Sequence, residues 1–110
     1  MFGMSNQKAD TDLDSQSFEK GFKETEGAQL IDVRTPGEYE EGHIPGARNI
    51  DMYSPGFVDE IQKLDKDAPI YLYCRSGNRS GSVLGAMKQM GYGKVYHLAH
   101  GIIDWHGETE

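Results

Sequence analysis

The chain has 110 residues, with 11 Lys plus Arg against 18 Asp plus Glu and a formal net charge of -7, a length that suits one domain around one core. The acidic balance argues against nucleic acid as the main partner, because neutralising phosphates needs clustered Lys and Arg; no apolar run approaches the ~20 residues of a membrane span, and no basic stretch followed by an apolar one opens the chain, so a cytoplasmic location is expected. Cysteine occurs once, at Cys74, which excludes an internal disulfide, a CxxC motif and a zinc site built from several cysteines.

Leu, Ile, Val and Phe supply only 21 of the 110 residues, a share low enough to raise the question of disorder. They are gathered in short runs through the middle and end of the chain, so a folded domain is expected over residues 11–110. Residues 1–10, MFGMSNQKAD, have no hydrophobic period and are expected to form a flexible segment.

In chain order, ADTDLDS (9–15) holds an edge strand. Asp14 or Ser15 caps a helix over residues 16–25, where Phe18 and Phe22 share one face. Residues 28–33, AQLIDV, suit a buried parallel strand. Residues 34–46 are broken by Pro36, Gly37, Gly42, Pro45 and Gly46 and read as loop with one helical turn around Glu38 and Tyr39. A short strand follows over 47–50. Pro55 opens a helix running to Leu64, with Phe57, Val58, Ile61 and Leu64 inward. PIYLY (69–73) is a clear strand, and Tyr71 and Tyr73 read as strand packing residues. Residues 80–90 form a helix closed by Gly91, residues 95–98 a strand and residues 102–105 a last short helix. Strands alternating with helices imply an α/β domain with a parallel sheet covered on both faces, which binds ligands beyond the carboxyl ends of its strands.

Cys74 lies where that rule puts a site. It ends the strand PIYLYC and is followed by Arg75-Ser76-Gly77-Asn78-Arg79-Ser80 and a helix. A helix start offers unpaired N–H groups and a partial positive charge. Gly77 and Asn78 let the backbone curl, so that successive N–H groups point into one hollow. Two of the chain's four arginines, Arg75 and Arg79, flank that hollow in sequence. These features lower a thiol's pKa, so the expectation is a thiolate nucleophile in an anion cradle, acting on an anion. The competing reading is an inert buried cysteine beside a simple turn. The overall charge does not forbid an anionic substrate, because carboxylates beyond ~8 Å are largely screened while the loop groups act at contact distance.

LIDVRTPGEYEEGHIPGARNI (30–50), PIYLYCRSGNRSGSVLGAMKQMGY (69–92), KVYHL (94–98) and GIIDW (101–105) together resemble the rhodanese family of sulfurtransferases, over about three-quarters of the chain. The resemblance implies a rhodanese-like three-layer α/β domain with a central five-stranded parallel sheet and helices on both faces. It also implies a two-step transfer. Cys74 takes a sulfane sulfur from thiosulfate or a similar small anionic donor, becomes a persulfide, and passes the sulfur to cyanide, a thiol or a protein acceptor. Arg75, Ser76, Gly77, Asn78, Arg79 and Ser80 would bind the substrate. No metal, organic cofactor, nucleic acid or membrane is called for. The resemblance places Asp32 and Arg34 beside the loop as a supporting pair, and the simpler reading of that pair is fold stabilisation. Glu38 reads as a capping or ion-pairing group and His43 as a hydrogen-bonded structural residue.

Two alternatives stand beside this reading. A rhodanese-like cysteine phosphatase would need five residues between Cys and Arg, whereas four separate Cys74 from Arg79. The other is a non-enzymatic sulfur-relay or partner-binding module. His97, His100 and His106 have the spacing H-x2-H-x5-H, but zinc needs a fourth ligand and convergent geometry, so no metal site is expected. His100 stands where the family often has glycine, which leaves the local backbone open and could bring an imidazole to the pocket rim.

Overall fold

The computed structural model describes residues 10–110; the expectation of a flexible segment over residues 1–10 therefore lies outside the described residues for residues 1–9. The described elements are β1 (Asp12–Leu13), α1 (Ser15–Glu24), β2 (Gln29–Asp32), α2 (Pro36–Glu41), β3 (Arg48–Asn49), α3 (Phe57–Gln62), β4 (Ile70–Tyr73), α4 (Asn78–Gln89), β5 (Val95–Leu98) and a 3-10 turn (Ile102–Asp104). The sheet has five strands in the order β1-β5-β4-β2-β3, and every pair is parallel. The α/β architecture read from the sequence is therefore the observed one.

Strand alternation divides the core between two faces. Ile31, Ile70, Leu72, Cys74 and Val95 point to the side covered by α3 and α4, where Ile61, Leu64, Val83, Leu84 and Met87 meet them. Leu30, Tyr71, Tyr73 and Leu98 point to the other side, against Phe18 and Phe22 of α1 and Trp105. Phe18 packs edge-on to Tyr71, Tyr73 and Trp105. Thus β4, central and buried on both faces, delivers the residue that follows it, Cys74, to the α4 side. Among the described residues no helix is long and apolar enough to cross a membrane.

Element ends differ from the sequence expectation where side chains write the local hydrogen bonds. Asp14 caps α1 by accepting from the Ser17 N–H at 2.8 Å, so the helix starts at Ser15. The proline- and glycine-rich stretch contains a real helix, α2, because Thr35 and Glu38 form a reciprocal capping box with Pro36 at the first turn. The third helix begins at Phe57 rather than Pro55, since Asp51 and Ser54 hold residues 51–57 in successive turns. The fourth begins at Asn78, two residues before the expected Ser80, with Gly77 as its cap.

Candidate active site

The loop from Cys74 to Ser80 wraps around a single sulfur. Gly77 and Ser80 donate backbone N–H bonds to Cys74 Sγ at 3.1 and 3.3 Å, and Ser80 Oγ lies 3.5 Å from it. Cys74 has 0% exposure. Burial opposes ionisation of the thiol, but the Ser80 hydroxyl and the N–H groups of Ser80, Gly77 and Ser76 outweigh it, and the net shift is downward. The side chain borders the apolar core, yet its sulfur is turned to polar donors, unlike an inert filler cysteine.

Two glycines make this curl possible. Gly77 has φ +103°, and a Cβ there would collide with the Ala99 carbonyl; Gly101 has φ +73°, and a Cβ there would strike the Arg75 carbonyl. Among the described residues no non-glycine has positive φ. The sequence reading shared the left-handed role between Gly77 and Asn78, but Gly77 alone takes it, and Asn78 is the first residue of α4. His100 likewise needs no glycine, because the unusual backbone falls on its neighbour Gly101. The segment behind the loop is fastened by Ile102 and Ile103 N–H bonds to the Cys74 and Arg75 carbonyls at 2.9 and 3.2 Å. An open depression beside the loop is lined by Ser76, His100, Ile103 and Asp104.

The two arginines of the loop stand in different surroundings. Arg79, in the first turn of α4, is held by Glu38 of α2 through Nη1–Oε1 and Nη2–Oε2 bonds of 2.7 and 2.8 Å. Glu38 also accepts from the Thr35 N–H at 3.2 Å, so it serves both as capping residue and as ion-pair partner. Its carboxyl is lowered to about 2, first by Arg79 and further, against opposing burial, by the Thr35 N–H. Arg75 is exposed.

The sequence reading missed a second set of contacts behind the sulfur. Ser80, with 0% exposure, has its Oγ 2.8 Å from His97 Nδ1, and His97 Nε2 lies 2.9 Å from Asp12 Oδ1. From spacing alone His97 suggests only a candidate metal ligand. The overlooked signal was parity: on β5, His97 shares the face of core residue Val95, so its imidazole had to be buried and satisfied. Among the described residues, no three His, Cys, Asp or Glu side chains could hold a metal.

Asp32 and Arg34 form a buried pair, with Nη2–Oδ2 at 2.7 Å. Arg34 Nη2 also donates to the Gly42 carbonyl at 2.7 Å, and Asn49 Nδ2 donates to the Asp32 and Arg34 carbonyls at 3.0 and 2.9 Å. These contacts tie β2 to the α2–β3 connection and face Tyr73, on the side of the sheet opposite Cys74. His43 stacks on Tyr39 with ring centroids 3.7 Å apart, and its Nδ1 lies 2.9 Å from the Tyr39 carbonyl oxygen.

A family model, the Rhodanese-like domain, matches residues 14–108. The chain belongs to the rhodanese-like domain family. Its relatives include a protein named sulfurtransferase from Allochromatium vinosum, 38% identical over 86% of each chain. A protein named thiosulfate sulfurtransferase GlpE from Pseudomonas paraeruginosa is 43% identical over 72% of this chain and 70% of its own. Among solved structures, a rhodanese-like domain protein from Staphylococcus aureus superposes with a TM-score of 0.78 at 26% identity, covering 91% of this chain and 96% of that one. A rhodanese-like domain from Anabaena sp gives 0.79 at 24% identity, over 93% and 80%, and shows the shared fold. Kinship with rhodanese-type sulfurtransferases thus rests on the whole domain as well as on the loop.

Proposed function

We propose that this rhodanese-like domain is a thiosulfate-type sulfurtransferase with Cys74 as its nucleophile. The observation that carries the reading is the convergence of the Gly77 N–H, the Ser80 N–H and the Ser80 hydroxyl on Cys74 Sγ, together with the thiol's lowered pKa. The Cys74 thiolate attacks the outer sulfur of thiosulfate; a new sulfur–sulfur bond forms, the old one breaks, and sulfite leaves with the electron pair. The persulfide anion lies within the N–H groups of residues 75–80, which act on sulfur as an oxyanion hole acts on oxygen. Cyanide, a thiol or a protein thiol then attacks the outer sulfur and returns Cys74 as a thiolate. Charge balances in both steps with no redox partner.

Loop size favours sulfur over phosphate. Gly77 and Ser80, three and six residues from Cys74, already reach the cysteine's own sulfur, so the ring fits one further sulfur and is tight for a phosphoryl group. The test is thiosulfate:cyanide transfer and arylphosphatase activity in wild type and Cys74→Ser. Transfer that vanishes in the variant, with no cysteine-dependent phosphatase, is expected. Cysteine-dependent phosphatase activity without sulfur transfer would overturn the reading.

A further inference from the structure

We propose that Ser80 and His97 form a proton relay that ionises Cys74, with Asp12 holding the imidazolium that results. The inference rests on Cys74 being the nucleophile, and deepens that reading by saying where its proton goes.

The path is continuous and mostly buried. Cys74 Sγ is 3.5 Å from Ser80 Oγ, Ser80 Oγ is 2.8 Å from His97 Nδ1, and His97 Nε2 is 2.9 Å from Asp12 Oδ1. Cys74 and Ser80 have 0% exposure and His97 has 6%, whereas the Asp12 side chain is 33% exposed. The chain of groups therefore runs from a covered sulfur to a carboxylate in touch with water. It joins four elements: the end of β4, α4, β5 and β1.

Hydrogen-bond chemistry fixes its direction. A carboxylate only accepts, so His97 Nε2 carries a hydrogen and donates to Asp12. A neutral His97 then offers a lone pair at Nδ1, and the Ser80 hydroxyl donates to it. The Gly77 carbonyl, 3.3 Å from Ser80 Oγ, is the longer competing acceptor. With its hydrogen turned to His97, Ser80 Oγ presents a lone pair to the thiol. One concerted shift completes the ionisation. The S–H bond breaks as an O–H bond forms on Ser80, and the former Ser80 O–H breaks as an N–H forms on His97. The product is a thiolate and an imidazolium bridged by one hydroxyl that donates to sulfur. His97 touches neither donor nor sulfur and is a positioning residue acting through Ser80. Among the described residues, Arg79 of α4 also interacts electrostatically with Cys74 and is already paired with Glu38 of α2. It supports the thiolate without accepting its proton.

The test is the rate of Cys74 alkylation by iodoacetamide against pH in wild type, His97→Asn and Ser80→Ala, with histidine-ring nitrogen NMR of wild type and Cys74→Ala. The relay predicts alkylation about ten-fold slower in both relay variants near about pH 6, with profiles that converge once an ordinary thiol is ionised. It also predicts that the His97 ring carries a hydrogen on both nitrogens in wild type and on Nε2 alone in Cys74→Ala, where the thiol that supplies the second proton is absent. Because Cys74→Ala leaves His97 and its packing in place, the second readout holds even if His97→Asn folds poorly. Superimposable alkylation profiles in folded variants, or a pattern of ring hydrogens on His97 indifferent to Cys74, would overturn the relay. Neither readout needs sulfur transfer. Absence of a persulfide would defeat the proposed function alone, and a persulfide with unmoved profiles would defeat the relay alone.

Discussion

Glu38 and Arg79 meet in a two-pronged ion pair, 2.7 and 2.8 Å, that fastens α2 to the first turn of α4 beside the loop. By its place nearer the helix start, Arg79 is the better situated of the two loop arginines to hold an anionic donor. The pair changes that balance: a carboxylate already offsets much of Arg79's charge, while Arg75 is exposed. Arg75→Ala is therefore expected to raise the donor KM and leave stability near wild type. Arg79→Ala is expected to lose both kcat/KM and on the order of 1–2 kcal/mol of stability, between the values for exposed and fully buried pairs. Donor KM and urea midpoints of the two variants check this. A selective KM effect at Arg79 with unchanged stability would contradict it.

The same pair sets an acid limit. Glu38 is depressed to about 2, below the ordinary carboxylate range, so it binds its proton more weakly folded than unfolded. Its contribution is present above the unfolded value and is lost as pH falls from about 4.5 through about 2. In Glu38→Gln this part of the pH dependence should be missing, so the two unfolding curves should differ most at neutral pH and approach each other in acid. Parallel urea midpoints from neutral pH down to about pH 2 would contradict the assignment.

Gly77 and Gly101 are expected to tolerate no side chain. Each has positive φ and a carbonyl where Cβ would stand. Gly77→Ala or Gly101→Ala should cost roughly 1–3 kcal/mol for backbone strain, with more from the collision, and should disperse the N–H groups around the sulfur. Loss of both thermal stability and sulfur transfer is the expected pair of measurements. Gly37→Ala, with no atom near its Cβ, is the control that should keep both.

Cys74 is fully covered, so reagent size should matter. A small alkylating agent should modify the native protein through the loop, a bulky maleimide far more slowly, and the difference should vanish in denaturant. Equal native rates for both would mean that the sulfur is not seated beneath the loop. Cys74→Ser, which keeps a small polar group amid the same donors, should fold with a near wild-type Tm and transfer no sulfur.

The fold was legible because its signals are local and redundant. PIYLYC is apolar on both faces, Phe18 and Phe22 repeat at helical spacing, and glycines punctuate the ends. The sulfur's cradle was legible for the same reason, since Cys74 to Ser80 is one short segment. What sequence reading could not reach was contact between distant segments. Glu38 meets Arg79 across 41 positions, His97 meets Ser80 across 17 and Asp12 across 85. Each polar residue carries several plausible local roles, and only the strand order β1-β5-β4 decides which neighbours it finds. The helix hidden in 34–46 was underestimated because the capping box outweighs the breakers around it.

The most direct measurement is intact mass of the protein after incubation with thiosulfate, followed by cyanide. The account predicts a gain of one sulfur on wild type, removed by cyanide with release of thiocyanate, and no gain on Cys74→Ser. An unchanged mass for wild type, or a sulfur that persists in the variant, would contradict it.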